Sequence, residues 1–150
     1  VGAIPRLVDM GVDPYLIAPT LIVSIAQRLA RLTYPACRKE LPMDDSVKKQ
    51  IEEQMKDLPE EFKPKIGDKM FDVVPSPDCP SGTRGRIAVF EMFKVDREMQ
   101  SVILKNPTNS EIYRVARKNG MLMMREDAMF KSVQGLIPFT EVYNFNNENE

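Results

Sequence analysis

Arg84 and Arg86 flank Gly85 at the head of an alternating apolar run. A guanidinium placed there can meet a phosphate or a carboxylate, and a structural or inter-subunit salt bridge is the favoured role. Cys37 and Cys79 are the chain's thiols, and it has no histidine. An imidazole base and a His-ligated metal are therefore both excluded within it. Two thiols are too few for a disulfide scaffold, although a lone bridge stays open. No Gly-Lys pair occurs, so the chain lacks the Gly-x-x-x-x-Gly-Lys-Ser/Thr loop whose backbone N–H groups cradle phosphate. No nucleophile–base pair is evident, and Glu111 is better explained as a helix cap than as an acid. These residue types point to contact or scaffolding, not to independent catalysis.

The chain behind them has 150 residues, enough for one domain with a real core, and is 43% hydrophobic and 29% charged. Its net charge of −1 favours neither nucleic acid nor an anionic membrane. Arg84, Arg86, Arg114 and Arg117 lack the aromatic-lined basic groove of a nucleic-acid site. No apolar run reaches the roughly 18 residues that span a bilayer; the longest, 15–26, contains Pro19. A cytoplasmic chain without membrane insertion is expected. It begins at Val1 and not at Met, which suggests a piece of a longer polypeptide.

The pattern predicts a short amphipathic helix over 3–10 stopped by Gly11, then a restart at Asp13-Pro14. Residues 15–32 fit both helix and strand by spacing. Within 34–83 one helix stands out, about 45–56, with an apolar stripe of Val47, Ile51 and Met55 and an i,i+4 pair of Glu52 and Lys56. A short strand is expected at 69–74. This stretch reads as an inserted subdomain held by that stripe and outside the main core. Residues 86–95 are apolar on both faces, the mark of a buried strand. Asp96 caps the next helix. Thr108-Asn109-Ser110-Glu111 is a capping box, and Arg114, Arg117 and Lys118 favour that helix's C-terminal dipole. A further helix over 124–134 ends at Gly135, and Pro138 opens a short one through Tyr143. Asp127 is expected as an exposed helical charge, with an interface role the alternative. Met121, Met123, Met124 and Met129 are expected as core filler more than as an adaptable partner surface. The Asn-rich, acidic residues 144–150 have almost nothing to bury and are expected to fray.

Two stretches carry a resemblance. Arg6-Leu7-Val8-Asp9-Met10-Gly11 is followed by Gln27-Arg28-Leu29, and then by Arg84-Gly85-Arg86 running to Glu91. Later come Ala116-Arg117-Lys118-Asn119-Gly120-Met121, Arg125-Glu126-Asp127-Ala128, Lys131-Ser132-Val133-Gln134-Gly135 and Glu141-Val142. In this order they resemble the closing third of the hexameric ATPases of type IV pilus assembly and type II secretion. The resemblance covers nearly the whole chain apart from about 39–74. It implies an α/β fold, the C-terminal part of a RecA-like P-loop ATPase domain. It divides the chain into a late part of that core (1–33), a degenerate metal-binding-type insertion (34–83), a core strand with a helical C-terminal subdomain (84–143) and a disordered tail (144–150). It also resolves 15–32 into a helix ending near Leu21 and a strand through Gln27 and Leu29.

The family's phosphate-binding loop, magnesium-binding acidic motif and His-containing box lie before this region. The resemblance therefore implies ATP and Mg in the parent protein, a homo-hexamer, an inner-membrane platform protein as partner and a cytoplasmic location peripheral at the inner membrane. It implies no hydrolysis by this chain alone. Gln27 and Arg28 become candidates for touching nucleotide or a neighbouring subunit, as do Arg84 and Arg86; for Gln27 and Arg28 a strand end with a solvated arginine is equally open. The family usually carries two Cys-x-x-Cys pairs that bind zinc. Here the first reads Tyr34-Pro35-Ala36-Cys37 and the second Cys79-Pro80-Ser81-Gly82, so Cys37 and Cys79 are remnants. Zinc needs about four ligands, and two thiolates would have to recruit carboxylates such as Asp78. No zinc is expected. The competing reading is a stand-alone, non-catalytic interaction module derived from such an ATPase. Neither reading separates pilus assembly from secretion.

Overall fold

A computed structural model describes residues 1–63 and 65–145. Two short helices open the chain, α1 (Ala3–Asp9) and α2 (Pro14–Thr20). Gly11, at φ +88°, turns the chain between them, and Asp13 caps α2 by accepting the Tyr15 N–H at 2.9 Å. The ambiguous stretch then resolves into the long strand β1 (Val23–Thr33). Next come β2 (Arg38–Pro42), α3 (Asp45–Gln54), β3 (Lys69–Val73) and β4 (Thr83–Lys94). Three helices follow: α4 (Arg97–Lys105), α5 (Asn109–Lys118) and α6 (Met124–Val133). A 3₁₀ turn, Phe139–Asn144, closes the described chain. The class is mixed α/β.

Two antiparallel pairs form, β1 with β4 and β2 with β3. The first runs from Val23 opposite Lys94 to Arg31 opposite Arg86, then breaks register before Thr33 meets Thr83. Gly85, at φ +81°, lies at that break, where an irregular strand suits glycine.

Two apolar cores lie along one face of the β1–β4 ribbon. One gathers Ile4, Ile17, Phe93, Met99, Ile112 and Val115 from α1, α2, α4, α5 and the end of β4. The other gathers Ala30, Val89, Ala128, Met129, Ile137 and Val142 from the ribbon's middle, α6 and the closing turn. Met43, Ile51 and Met55 belong to this second core. The stripe on α3 therefore packs outside its own segment, and 34–83 is not closed off from the main core. The methionines act as filler: Met121 is buried in the first core and Met129 in the second.

Several local expectations change. On β4 only one face is inside: Val89 and Phe93 are buried, while Met92 on the opposite face is exposed. Its double-sided apolar pattern calls for more cover than the described residues supply. Lys56 pairs with Glu53 and not with Glu52, because α3 ends at Gln54. Thr108 does accept the Glu111 N–H, but the Glu111 carboxylate turns to Arg114 at 2.9 Å, so the capping box is half-formed. The expected frayed tail begins too early, since Asn144 lies in the closing turn and Phe145 is buried in the second core. Residues 146–150 lie outside the described residues.

Candidate functional site

Gln27 and Arg28 sit in mid-β1, opposite Phe90 and Val89, and both are exposed. Arg84 and Arg86 are exposed near the start of β4. Side chains alternate along a strand, so Gln27 and Arg86 share the outer face of the ribbon, while Arg28 belongs to the face of Ala30 and Val89. From Gln27 to Arg31, the partner of Arg86, four residues span roughly 13 Å. The four candidates are thus strung along the ribbon and do not converge. Arg84 has a defined role: its guanidinium lies 4.5 Å from the centre of the Tyr34 ring, a cation–π contact.

Between charged ends, Arg31 with Arg86 at one and Lys94 at the other, the outer face carries exposed apolar side chains, with Phe90 half-buried under Lys131. Ile25 is 57% exposed and Leu29 52%, with Ile22, Val23 and Met92 exposed beside them. Gln27 separates Ile25 from Leu29 in this row, so these side chains line one face of the strand without forming an unbroken apolar patch.

Cys37 and Cys79 are both buried and come together at one end of the β2–β3 pair. Ser76 joins them: the Cys37 thiol donates to Ser76 Oγ at 3.3 Å, and the Cys79 N–H donates to the same oxygen at 3.2 Å. The Cys79 thiol donates to the Thr83 carbonyl at 3.4 Å. Ser76 stands three residues before Cys79, the spacing of Tyr34 before Cys37, and it lies nearer the thiol cluster's centre than the Cys79-x-x-Gly82 reading suggests. Gly82 is needed for the turn. At φ +69° its backbone is left-handed, and an added Cβ would lie 2.7 Å from Val73 Cβ.

Those residues do not fit zinc. Tyr34 and Ser76 offer no thiolate, and the thiols of Cys37 and Cys79 donate protons that metal binding would have to release. Among the described residues, no group of three or more His, Cys, Asp or Glu side chains is placed to hold a metal. Nor do they form a cradle for Mg-ATP. The N-termini of α2, α3 and α4 are capped by Asp13, Asp44 and Asp96, whose carboxylates occupy the positions a phosphate would take.

A buried charge network was not foreseen. Arg117 is 2% exposed and Glu126 4%. They form a two-bond fork, Nη1 to Oε2 and Nη2 to Oε1, each 2.6 Å. Arg117 also donates to the Met121 carbonyl at 2.7 Å, and Glu126 accepts the Met123 N–H at 2.9 Å, capping α6. Asp57 reaches Arg117 Nη2 at 3.4 Å and accepts the Tyr113 hydroxyl at 2.6 Å. Burial pushes the Glu126 carboxyl up against the pull of Arg117. Burial also opposes the Asp57 charge, but Tyr113, its own backbone N–H and Arg117 together hold its pKa below the usual carboxylate value. Burial and the Asp57 bond push Tyr113 up to about 12. The network joins α5 and α6 to the end of α3, so it serves as a structural bolt.

Asp127 is bound in the same way. It is half-buried, accepts the Phe90 N–H at 2.8 Å and pairs with Lys131. It fastens α6 to the edge of β4, contrary to the exposed charge expected. The signals for these ties were weak, since Arg117 and Glu126 stand nine residues apart across a turn.

The family model for "Type II/IV secretion system protein" matches residues 1–144. The chain belongs to that family. It is 30% identical over 141 residues to a type IV pilus assembly ATPase PilB of Thermus thermophilus, covering 93% of this chain and 15% of that protein. It is 31% identical over 140 residues to the PilB of Pseudomonas aeruginosa, covering 91% of this chain and 23% of that protein. It is 30% identical over 149 residues to a type II secretion system ATPase E of Vibrio cholerae, covering 99% and 28%. The chain thus spans less than a third of the length of these relatives. Among the described residues, no helix is long and apolar enough to cross a membrane.

Proposed function

We propose that this chain is the closing, non-hydrolysing part of a cytoplasmic ATPase that powers type IV pilus assembly or type II secretion. The observation that carries the reading is the family match across residues 1–144, with relatives named as ATPases of both systems. In this reading β1 and β4 are late strands of a RecA-like sheet, and Ile25, Leu29 and Met92 pack against the rest of it. Residues 34–83 are a degenerate insertion, and 84–143 a core strand with its helical subdomain. ATP and Mg bind on residues outside this chain. Gln27, Arg28, Arg84 and Arg86 touch either nucleotide or a neighbouring subunit of a homo-hexamer. The helical cluster relays motion to a platform protein at the inner membrane.

A stand-alone interaction module is the second reading. It is favoured by the two cores that close largely within the chain. Deleting residues 1–150 from the complete gene product separates the two. The motor reading expects loss of both assembly and ATP turnover. Normal hexamers with normal turnover after the deletion would sink it.

A further inference from the structure

Tyr34-x-x-Cys37 and Ser76-x-x-Cys79 share more than their spacing. In each turn the fourth residue's N–H donates to the first residue's carbonyl, at 2.9 Å in the first and 3.0 Å in the second. The turns are also tied to their surroundings. Tyr34 N–H donates to the Gly82 carbonyl at 3.1 Å, and Val74 N–H donates to the Cys37 carbonyl at 2.8 Å. Both cysteines are buried, with Ser76 Oγ between the Cys37 thiol and the Cys79 backbone.

We infer that Tyr34, Cys37, Ser76 and Cys79 are the four corners of a metal site that this chain has lost, and that hydrogen bonds and a stacked cation now hold the two turns together. The chemistry at each corner supports this. Cys37 and Cys79 donate S–H bonds to Ser76 Oγ and the Thr83 carbonyl, so the thiol protons already have acceptors. The Ser76 hydroxyl is neutral and bridges the turns from within, whereas zinc favours thiolate at such corners. At the Tyr34 corner the Arg84 guanidinium covers the ring, placing a permanent positive charge where a cation would have to approach. The backbone of a two-turn metal clasp is retained while its metal affinity is gone. Because the backbone survives, returning sulfur to two positions restores the site. This inference rests on the family reading of residues 34–83, while its test reads metal uptake and not ATP turnover.

The test compares the full-length protein with its Tyr34→Cys/Ser76→Cys and Ser76→Cys variants, using zinc and cobalt(II) as probes. The unaltered protein is the baseline for any other thiols. It is expected to retain no zinc at this lobe, and its thermal midpoint is expected not to move with a chelator. The double variant is expected to gain one cobalt per chain, with a thiolate charge-transfer band, and a thermal midpoint raised by zinc. Ser76→Cys, a one-atom exchange that spares Tyr34 and its stack, is expected to bind cobalt more weakly through three thiolates. A chelator that unfolds the unaltered lobe would overturn the inference. So would a folded double variant that takes up no more cobalt than the baseline. Should the double variant fail to fold, a folded Ser76→Cys protein with no gain in cobalt binding overturns it equally.

Discussion

Replacing Glu126 with leucine leaves the Arg117 guanidinium buried with the Met121 carbonyl at 2.7 Å and long contacts, each 3.4 Å, to the Gln54 carbonyl and Asp57. Removing one partner of a buried pair costs about 3–5 kcal/mol, because the other charge is stranded away from water. Arg117→Met strands Glu126 with only the Met123 N–H, and a similar loss is expected. The double variant strands no charge. It leaves the Met121 carbonyl and the Met123 N–H short of a partner, at about 1–3 kcal/mol for an unsatisfied buried group. The double change should therefore cost far less than the sum of the singles. In thermal terms, at about 2–4 °C per kcal/mol for a domain of this size, each single lowers the midpoint by roughly 6–20 °C. Urea unfolding followed by circular dichroism reads these values, with the exposed Glu111–Arg114 pair as a control worth about 0–1 kcal/mol. Singles that cost under about 1 kcal/mol, or a double equal to their sum, would refute the idea that this pair is a desolvated bolt.

Tyr113→Phe tests the same network through pH. The folded tyrosine has a pKa of about 12, above its ordinary 10.0, so it stabilises the fold fully below pH 10 and loses that contribution as pH rises through 12. Asp57 is lowered from 3.8, so its contribution is present above that value and fades as pH falls through the lowered one. The phenylalanine variant should therefore flatten both ends of the stability profile, and a tyrosinate titration should lose its late step. Gly82→Ala should destabilise more than Gly85→Ala in the same unfolding assay. Both have left-handed backbones, costing about 1–2 kcal/mol for a side chain, but only Gly82 would also drive a methyl into Val73. Equal losses would argue against close packing at that turn. Arg84→Ala should loosen the Tyr34 turn only slightly, by about 0.5–1 kcal/mol, since Arg84 is exposed.

Much of the architecture was legible because it rests on local rules. Asp13, Asp96 and Thr108 mark helix starts by side-chain caps, and Gly11, Gly120 and Gly135 mark stops by their left-handed backbones. Residues 15–32 were ambiguous by spacing, and the family resemblance supplied the helix-to-strand switch. What stayed hidden depends on distant partners. Arg117 looked like a favourable charge at a helix end, and nothing nearby revealed that Glu126 would bury it. Asp127 looked exposed because its partner is a strand N–H 37 residues earlier. Ser76 could have been found, since its spacing to Cys79 repeats that of Tyr34 to Cys37. The two apolar faces of β4 promised full burial, but the described residues cover only one.

The central claim places that uncovered face against the rest of the motor domain. ATP turnover and oligomer mass of the complete gene product, measured with and without Ile25→Asp/Leu29→Asp, test it most directly. If the chain closes a secretion ATPase, the charged face should abolish assembly and turnover together, while the 150-residue chain alone hydrolyses nothing. Unchanged turnover in the charged variant, or hydrolysis by the isolated chain, would contradict it.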